Sequence, residues 1–509
     1  MTRAAALACV LFVACGDDGA AQPNYTLVNV KGRPSVHDAA VLRVTLSSGG
    51  SSRTESLPFE GSFPFTFSVS SDPDRSGDLE ISVEALASDM TLVGAGKIDT
   101  TLAATSADIV VESTDFVVNT NFAESQYPSD DYEAHGFQAA AAADGTWTVA
   151  YRESGCTNCV MFARRFDKNG IAVSTRVAAG TNGFPVSTDA TTNVSTPAIA
   201  TAGAATLEVW DFSEPSPSTV DGIACRSLDA QGNATPFQLD ISTDTLADVV
   251  SIAPLANSNF SVVWNATISS VQTIRAAIVR PDCTVLGVPV SLGTMGSRAS
   301  VTGHPTLTKT LYAWIAAGSV HTRLASLTNA LETDLTIVPA TGTEAVEAVR
   351  VAPLGTGFAV VVRWALTSVF EGPGRIDLYR LSATGQVMGQ PILVSDKSGS
   401  DFGSSESFGV TTSPSGKLFV TWHSCETNGD GQGCGVYGRA FNADATPASD
   451  TFTVPTTTVG DQTNPSVAAL PDDAFAVVWK DDSMQAPDIA GSSVRARIVY
   501  LPTSTAGLQ

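Results

Sequence analysis

The chain has 509 residues, 43% of them apolar and 16% charged, with a formal net charge of −23. That length and composition fit two or more globular domains with a large core and exclude an intrinsically disordered chain. The negative excess excludes nucleic acid as a partner and argues against direct adsorption to anionic lipid. Gly, Ser, Thr, Ala and Val dominate and no long helical periodicity appears, which favours an all-β fold.

The chain opens MTRAAALACVLFVACGDDG. Arg3 ahead of the apolar stretch Ala4–Ala14 reads as an export leader, too short to span a bilayer. Phe12-Val13-Ala14-Cys15 resembles the lipobox of bacterial lipoproteins, with Phe12 where that family usually has Leu. The resemblance implies removal of residues 1–14, lipid on Cys15, and a tether over 15–24. It also implies attachment to the membrane through that lipid, with the outer membrane as the expected address. Cys9, the rival, is preceded by too little apolar chain.

Six cysteines remain beyond Cys15, consistent with an oxidising compartment. Cys156 and Cys159 in GCTNC, and Cys425 and Cys434 around ETNGDGQG, each fall between two predicted strands and read as staples on hairpin loops. A redox CxxC needs its second cysteine on a helix, but VMFARRFD after Cys159 alternates like a strand. Cys225 and Cys283 sit in neighbouring repeats and either pair across two sheets or stay free.

Residues 25–112 carry the alternating runs VLRVTL, FTFSV, LEISVEAL and DIVVE, separated by SSGGSSR, SDPDRSG and Gly94–Gly96. Strands at that spacing predict a small antiparallel β-sandwich, similar to the N-terminal modules of bacterial envelope lipoproteins and suited to act as a spacer. Residues 98–151 contain acids but no Lys or Arg, and read as a solvated junction or a cation-binding rim.

From about residue 137 to the C-terminus a unit recurs seven times, with spacings near 50 to 59 residues. Its second run ends at Tyr151, Trp210, Trp264, Trp314, Val362, Trp422 and Trp479. Its third run usually carries an arginine: Arg164, Arg226, Arg323, Arg380, Arg439 and Arg497. The period fits four-stranded propeller blades better than solenoids, whose repeats are shorter, or tandem sandwiches, whose domains are longer. Gly460-Asp461-Gln462-Thr463-Asn464-Pro465-Ser466-Val467-Ala468, with Phe475-Ala476-Val477-Val478-Trp479, is similar to the GDQ-x-x-PSVA-x-L…F-x-V-x-W repeats of large bacterial surface proteins, and GVYGRAF at 435–441 resembles their third strand. The expected fold is therefore an N-terminal β-sandwich followed by a seven-bladed β-propeller over 113–509. The aromatics are expected to pack between blades, with sugar stacking as the alternative, and the arginine stems to cover the sheet faces.

Candidate fourth strands follow six units, at 173–177, 237–239, 288–292, 335–337, 392–394 and 452–454. The seventh has none, whereas Asp115-Phe116-Val117-Val118-Asn119 is an orphan run just ahead of the first. An open ring would leave an unpaired sheet edge, so 115–119 is expected to pair antiparallel with roughly 494–499.

No catalytic constellation stands out. The five histidines form no HExxH or comparable ligand pair, and neither a GxSxG elbow nor a Walker loop is present. Asp144-Gly145-Thr146-Trp147 has the wrong spacing for an aspartate box. Two loops have alternating oxygen ligands at calcium spacing: Glu426, Asn428, Asp430 and Gln432 around Gly431, and Asp72, Asp74, Ser76 and Asp78 around Gly77. Each is either a weak calcium site or a plain polar hairpin loop. The functional expectation is a lipid-anchored, non-enzymatic propeller binding a protein or glycan. A polysaccharide-active enzyme and a structural surface component are the alternatives.

Overall fold

A computed structural model describes residues 24–72, 75–119, 137–152, 161–173, 184–185, 193–194, 197–213, 221–229, 239–242, 248–338, 344–366, 374–398, 408–425, 433–489 and 491–501. Contacts divide the chain into two compact units, one ending at Asp115 and the other beginning at Phe116, three residues later than the expected boundary. Among the described residues the one helical element is a single turn, Pro471–Asp473.

The first unit is a curled seven-stranded sheet. Strand Ser106–Ser113 is its corner: 106–111 run parallel to 27–32, and then 112–113 pair antiparallel with 94–95. Val28, Val30, Phe67, Ile81, Val83 and Ile109 from both lobes share one core. The expected antiparallel sandwich is not confirmed, because the hydrogen-bonding path is continuous and includes a parallel pair. Gly94–Gly96, expected as a break, lies inside strand Leu92–Thr101. The glycine has a packing reason: a Cβ on Gly96 would stand 2.4 Å from the Val110 carbonyl oxygen.

The second unit is a seven-bladed propeller, each blade an antiparallel meander of four strands from the centre outward. The inner strands are Phe137–Ala141, Ala198–Ala202, Asp248–Pro254, Gly296–Gly303, Glu344–Leu354, Phe408–Thr412 and Gln462–Ala469. Each contacts the next, and the seventh contacts the first, so the ring is closed. Blade two carries an extra short strand, Asn193–Val194. The outer strand of blade one is Phe184–Pro185, not 173–177, of which 174–177 lie outside the described residues.

Closure uses both ends of the repeat region. Phe116–Val117 is the outer strand of blade seven, pairing antiparallel with Ala496 and Arg495. The Val118 amide donates to the Val494 carbonyl at 2.7 Å, and Asn119 accepts from the Val494 amide at 2.9 Å.

Seven buried clusters fill the seven seams between blades. Tyr151, Trp210, Trp264, Trp314, Trp422 and Trp479 all lie in them, each at most 2% exposed, as packing between blades requires. A second repeated device sits beside them. The third-strand residue opposite the position two before each aromatic is Arg164, Arg226, Ala277, Arg323, Tyr379, Arg439 or Arg497. Four of these arginines reach back to the outer strand of the preceding blade. Arg323 donates to the Leu292 carbonyl at 3.0 Å, Arg439 to that of Val394 at 3.1 Å and Arg497 to that of Val454 at 2.8 Å. Arg164 donates to the Val118 carbonyl, so the closing segment supplies the acceptor for blade one.

Cys225 and Cys283 form a disulfide that joins the third strand of blade two to a turn of blade three. Cys425 and Cys434 are also joined, across the second-to-third-strand connection of blade six. Cys15, Cys156 and Cys159 lie outside the described residues.

Candidate functional site

The two rims of the ring are built differently. On one, most of the described first-to-second and third-to-fourth strand turns repeat one tight geometry, while blades two and five use the two-residue links 203–204 and 355–356 and blade seven a helical turn. Gly145 donates to the Ala142 carbonyl, Gly170 to Asp167, Gly385 to Ser382, Gly416 to Ser413 and Ala445 to Asn442, each donor at positive φ. Asp144 there accepts from the Thr146 amide at 2.9 Å, so the aspartate-box likeness is a turn cap. The opposite rim is uneven. Second and third strands join through 269–270 in blade three and 317–318 in blade four, but through 482–492 in blade seven. This is the loop rim.

The resemblance motif of blade seven has a structural task on the loop rim. Gly460 (φ 73°) has its Cβ position 2.8 Å from the Asp482 carbonyl oxygen. Asp461 accepts from the Cys434 amide at 2.9 Å, tying blade six to blade seven. Gln462 donates to the Val459 carbonyl at 2.9 Å and faces Asp481. Asp481, 1% exposed in its side chain, pairs with Arg495 at 2.8 Å. Arg495 in turn holds the Gln485 carbonyl at 2.6 Å, and Asn119 holds Asp488 at 2.8 Å, so the 482–492 connection is pinned from below.

Blade five departs from this pattern at the same height. Val362 takes the aromatic position, and the tryptophan stands two residues further toward the loop rim, at Trp364. Tyr379 takes the arginine position; Arg380 is one residue along, opposite Ala359. The blade's arginine stands instead at Arg375, opposite Trp364, with its guanidinium 5.0 Å from the indole ring. Its Nε donates to Asp377 at 2.9 Å and its Nη1 to Glu344. Burial works against its charge, but the hydrogen bonds and charges of Asp377 and Glu344 outweigh it and raise its pKa.

A bulge in the inner strand re-aims Glu347, which accepts from Arg363 at 2.6 Å. Arg298, on the neighbouring bulge of blade four, donates to the Glu347 backbone carbonyl. Near the loop rim these form two networks, Arg298, Glu347 and Arg363 in one and Glu344, Arg375 and Asp377 in the other. None was singled out in the sequence. The available signal was Arg363, a lone charge inside FAVVVRWAL.

A different departure marks blade two. Glu208 occupies the position that is Val149, Val262, Tyr312, Val360, Val420 or Val477 elsewhere. It is fully buried and neither carboxyl oxygen has a hydrogen-bond partner. Burial pushes its pKa well above the carboxylate range, with Arg226 opposing the shift. A carboxyl sealed in a seam cannot meet a solvent-borne substrate.

Most of the candidate calcium residues lie outside the described part of the chain. Glu426, Asn428, Asp430, Gln432 and Asp74 lie outside the described residues. Asp72 and Ser76 lie in the connection before strand Asp78–Leu86, whose first residue is Asp78. Among the described residues no three His, Cys, Asp or Glu side chains gather as a metal site. Of the acids in 98–151, Asp108 pairs with Lys31 and Glu112 with Arg33 in the first unit, and the junction NFAESQYPSDDYEAHG lies outside the described residues.

No protein-family model matches this chain, and no curated protein matches it. Several solved structures are similar in outline. An α-L-arabinanase of Penicillium chrysogenum with arabinobiose is 14% identical at a TM-score of 0.39, covering 60% of this chain and 92% of that one. The polysaccharide lyase Uly1 is 8% identical at 0.44, covering 75% and 93%. The Dos1 propeller is 9% identical at 0.39, covering 73% and 95%. At these identities and TM-scores the likeness carries no argument about activity.

Proposed function

We propose that this protein is an exported lipoprotein, held in the cell envelope by lipid on Cys15, whose propeller binds a protein or glycan through its loop rim. The curled N-terminal unit, packed on one core in the manner of a sandwich, serves as the spacer behind the tether. One observation carries the reading. Departures from the repeat that add charge, at Glu344, Glu347, Arg363 and Arg375, collect near the loop rim of blade five, while most described turns of the opposite rim share one geometry. Local rules broken together near one rim are the mark of a functional site on a repeat scaffold.

The second reading is a polysaccharide-active enzyme. It is favoured by carboxylates of one blade near the loop rim, Glu347 on Arg363 and Glu344 with Asp377 on Arg375, since glycoside hydrolysis needs a pair of carboxyl groups about 5–10 Å apart. The arabinanase and the lyase belong to that class but add no weight at their TM-scores.

The test uses full-length protein in detergent, with and without calcium, in a pull-down and a glycan screen. Retained, uncleaved ligand supports the binding reading. Shortened products that disappear in Glu347→Gln replace it with the enzyme reading. Chelation that lowers the melting temperature would bring the calcium loops into the site. A palmitate analogue should label the protein and fail to label Cys15→Ser; label on the variant overturns the anchor.

A further inference from the structure

We infer that the Arg375 shelf of blade five recognises a neutral sugar through adjacent hydroxyl groups. This deepens the loop-rim reading and rests on it.

The Arg375 guanidinium is fixed on three sides: by Asp377 at Nε, by Glu344 at Nη1 and by the Trp364 ring beneath its face. Its side chain is nonetheless 37% exposed, and its Nη2 has no hydrogen-bond partner among the described residues. A guanidinium offers five N–H donors in one plane, and here two edges are committed while the third is presented to solvent. Holding a long side chain still in advance removes the ordering cost that binding would otherwise carry. Arg375 stands four residues nearer the loop rim than the strap column, at a position that is Thr273, Ser319, Gly435 and Ser493 in blades three, four, six and seven, so the repeat itself calls for no arginine there.

Charge narrows the ligand. Arg375 already has two carboxylates beside it, and the chain carries −23 overall, so an anionic sugar meets repulsion there. A cationic ligand meets the open edge of a guanidinium. What remains is a neutral group that donates and accepts at once. A pair of neighbouring ring hydroxyls fits: one accepts from Nη2 and the other donates to an adjacent carboxylate oxygen. A protein side chain is the competing occupant and is left to the experiment.

The test is an array of neutral oligosaccharides beside uronate-containing and sulfated ones, probed with full-length protein, Arg375→Ala and Arg375→Lys. The neutral set should be retained, and Arg375→Ala should weaken retention at least tenfold while the protein remains folded at the temperature of the assay. Arg375→Lys should not restore it, because a lysine lacks the planar edge. Preference for the anionic set overturns the ligand class. Undiminished neutral binding by both variants overturns the site but leaves the loop-rim reading standing. Absence of any glycan binding overturns this inference, and the pull-down then decides the broader reading separately.

Discussion

Blades seven and five show what repetition does in this molecule. In blade seven each motif position is spent on the ring: Trp479 fills a seam, Arg497 straps blade six, Asp461 braces a neighbouring loop, and Arg495 pairs with buried Asp481. In blade five the same positions hold Val362 and Tyr379, while tryptophan and arginine move outward to Trp364 and Arg375. The more closely a blade follows the repeat, the less of it is free for a ligand. Departures, not matches, mark the candidate site.

The largest expected effect tests the scaffold half of that contrast. Arg495→Ala leaves Asp481 buried without its cation, which should cost about 3–5 kcal/mol by denaturant unfolding. A loss under about 1 kcal/mol would show that blade seven is not held this way.

Next is the strap. Arg497→Ala removes a charged donor from the Val454 carbonyl and should cost about 1.5–3 kcal/mol. If melting is unchanged, the straps are incidental.

Glu208 sharpens the comparison, because it is a departure inside a seam, where no ligand reaches. Glu208→Val restores the residue type of that column and should stabilise the protein by about 1–3 kcal/mol at neutral pH. The sign with pH follows from its raised pKa. Below the ordinary carboxylate range both states hold the proton, and wild-type stability is full. As pH rises toward the folded value the unfolded chain releases its proton while the folded chain keeps it, and wild-type stability falls. The advantage of Glu208→Val should therefore grow with pH; a pH-independent advantage would refute the burial argument.

The smallest expected effect tests the site half. Arg375→Ala removes a partly exposed guanidinium but leaves Asp377, 8% exposed in its side chain, without its cation, so stability should fall by about 1–2 kcal/mol while ligand retention falls. A large loss of stability would return blade five to the scaffold class.

Much of the fold was legible in the chain. The period, the aromatic column and the missing fourth strand of unit seven are local patterns: alternation sets which side chains share a face, and a fixed period repeats that face around the ring. The pairing of Phe116 and Val117 with Ala496 and Arg495 could be anticipated because an unpaired edge is costly. Other features were decided only in three dimensions. Whether the N-terminal strands make two sheets or one depends on Ser106–Ser113 changing partners along its length, which alternation does not encode. That Arg380 misses the arginine column while Tyr379 fills it depends on pairing register, and one residue of slip moves a side chain to the other face of the sheet. The site is the clearest case. Glu344, Trp364, Arg375 and Asp377 come from three strands and converge only when those strands pair, so no run of sequence contains them together.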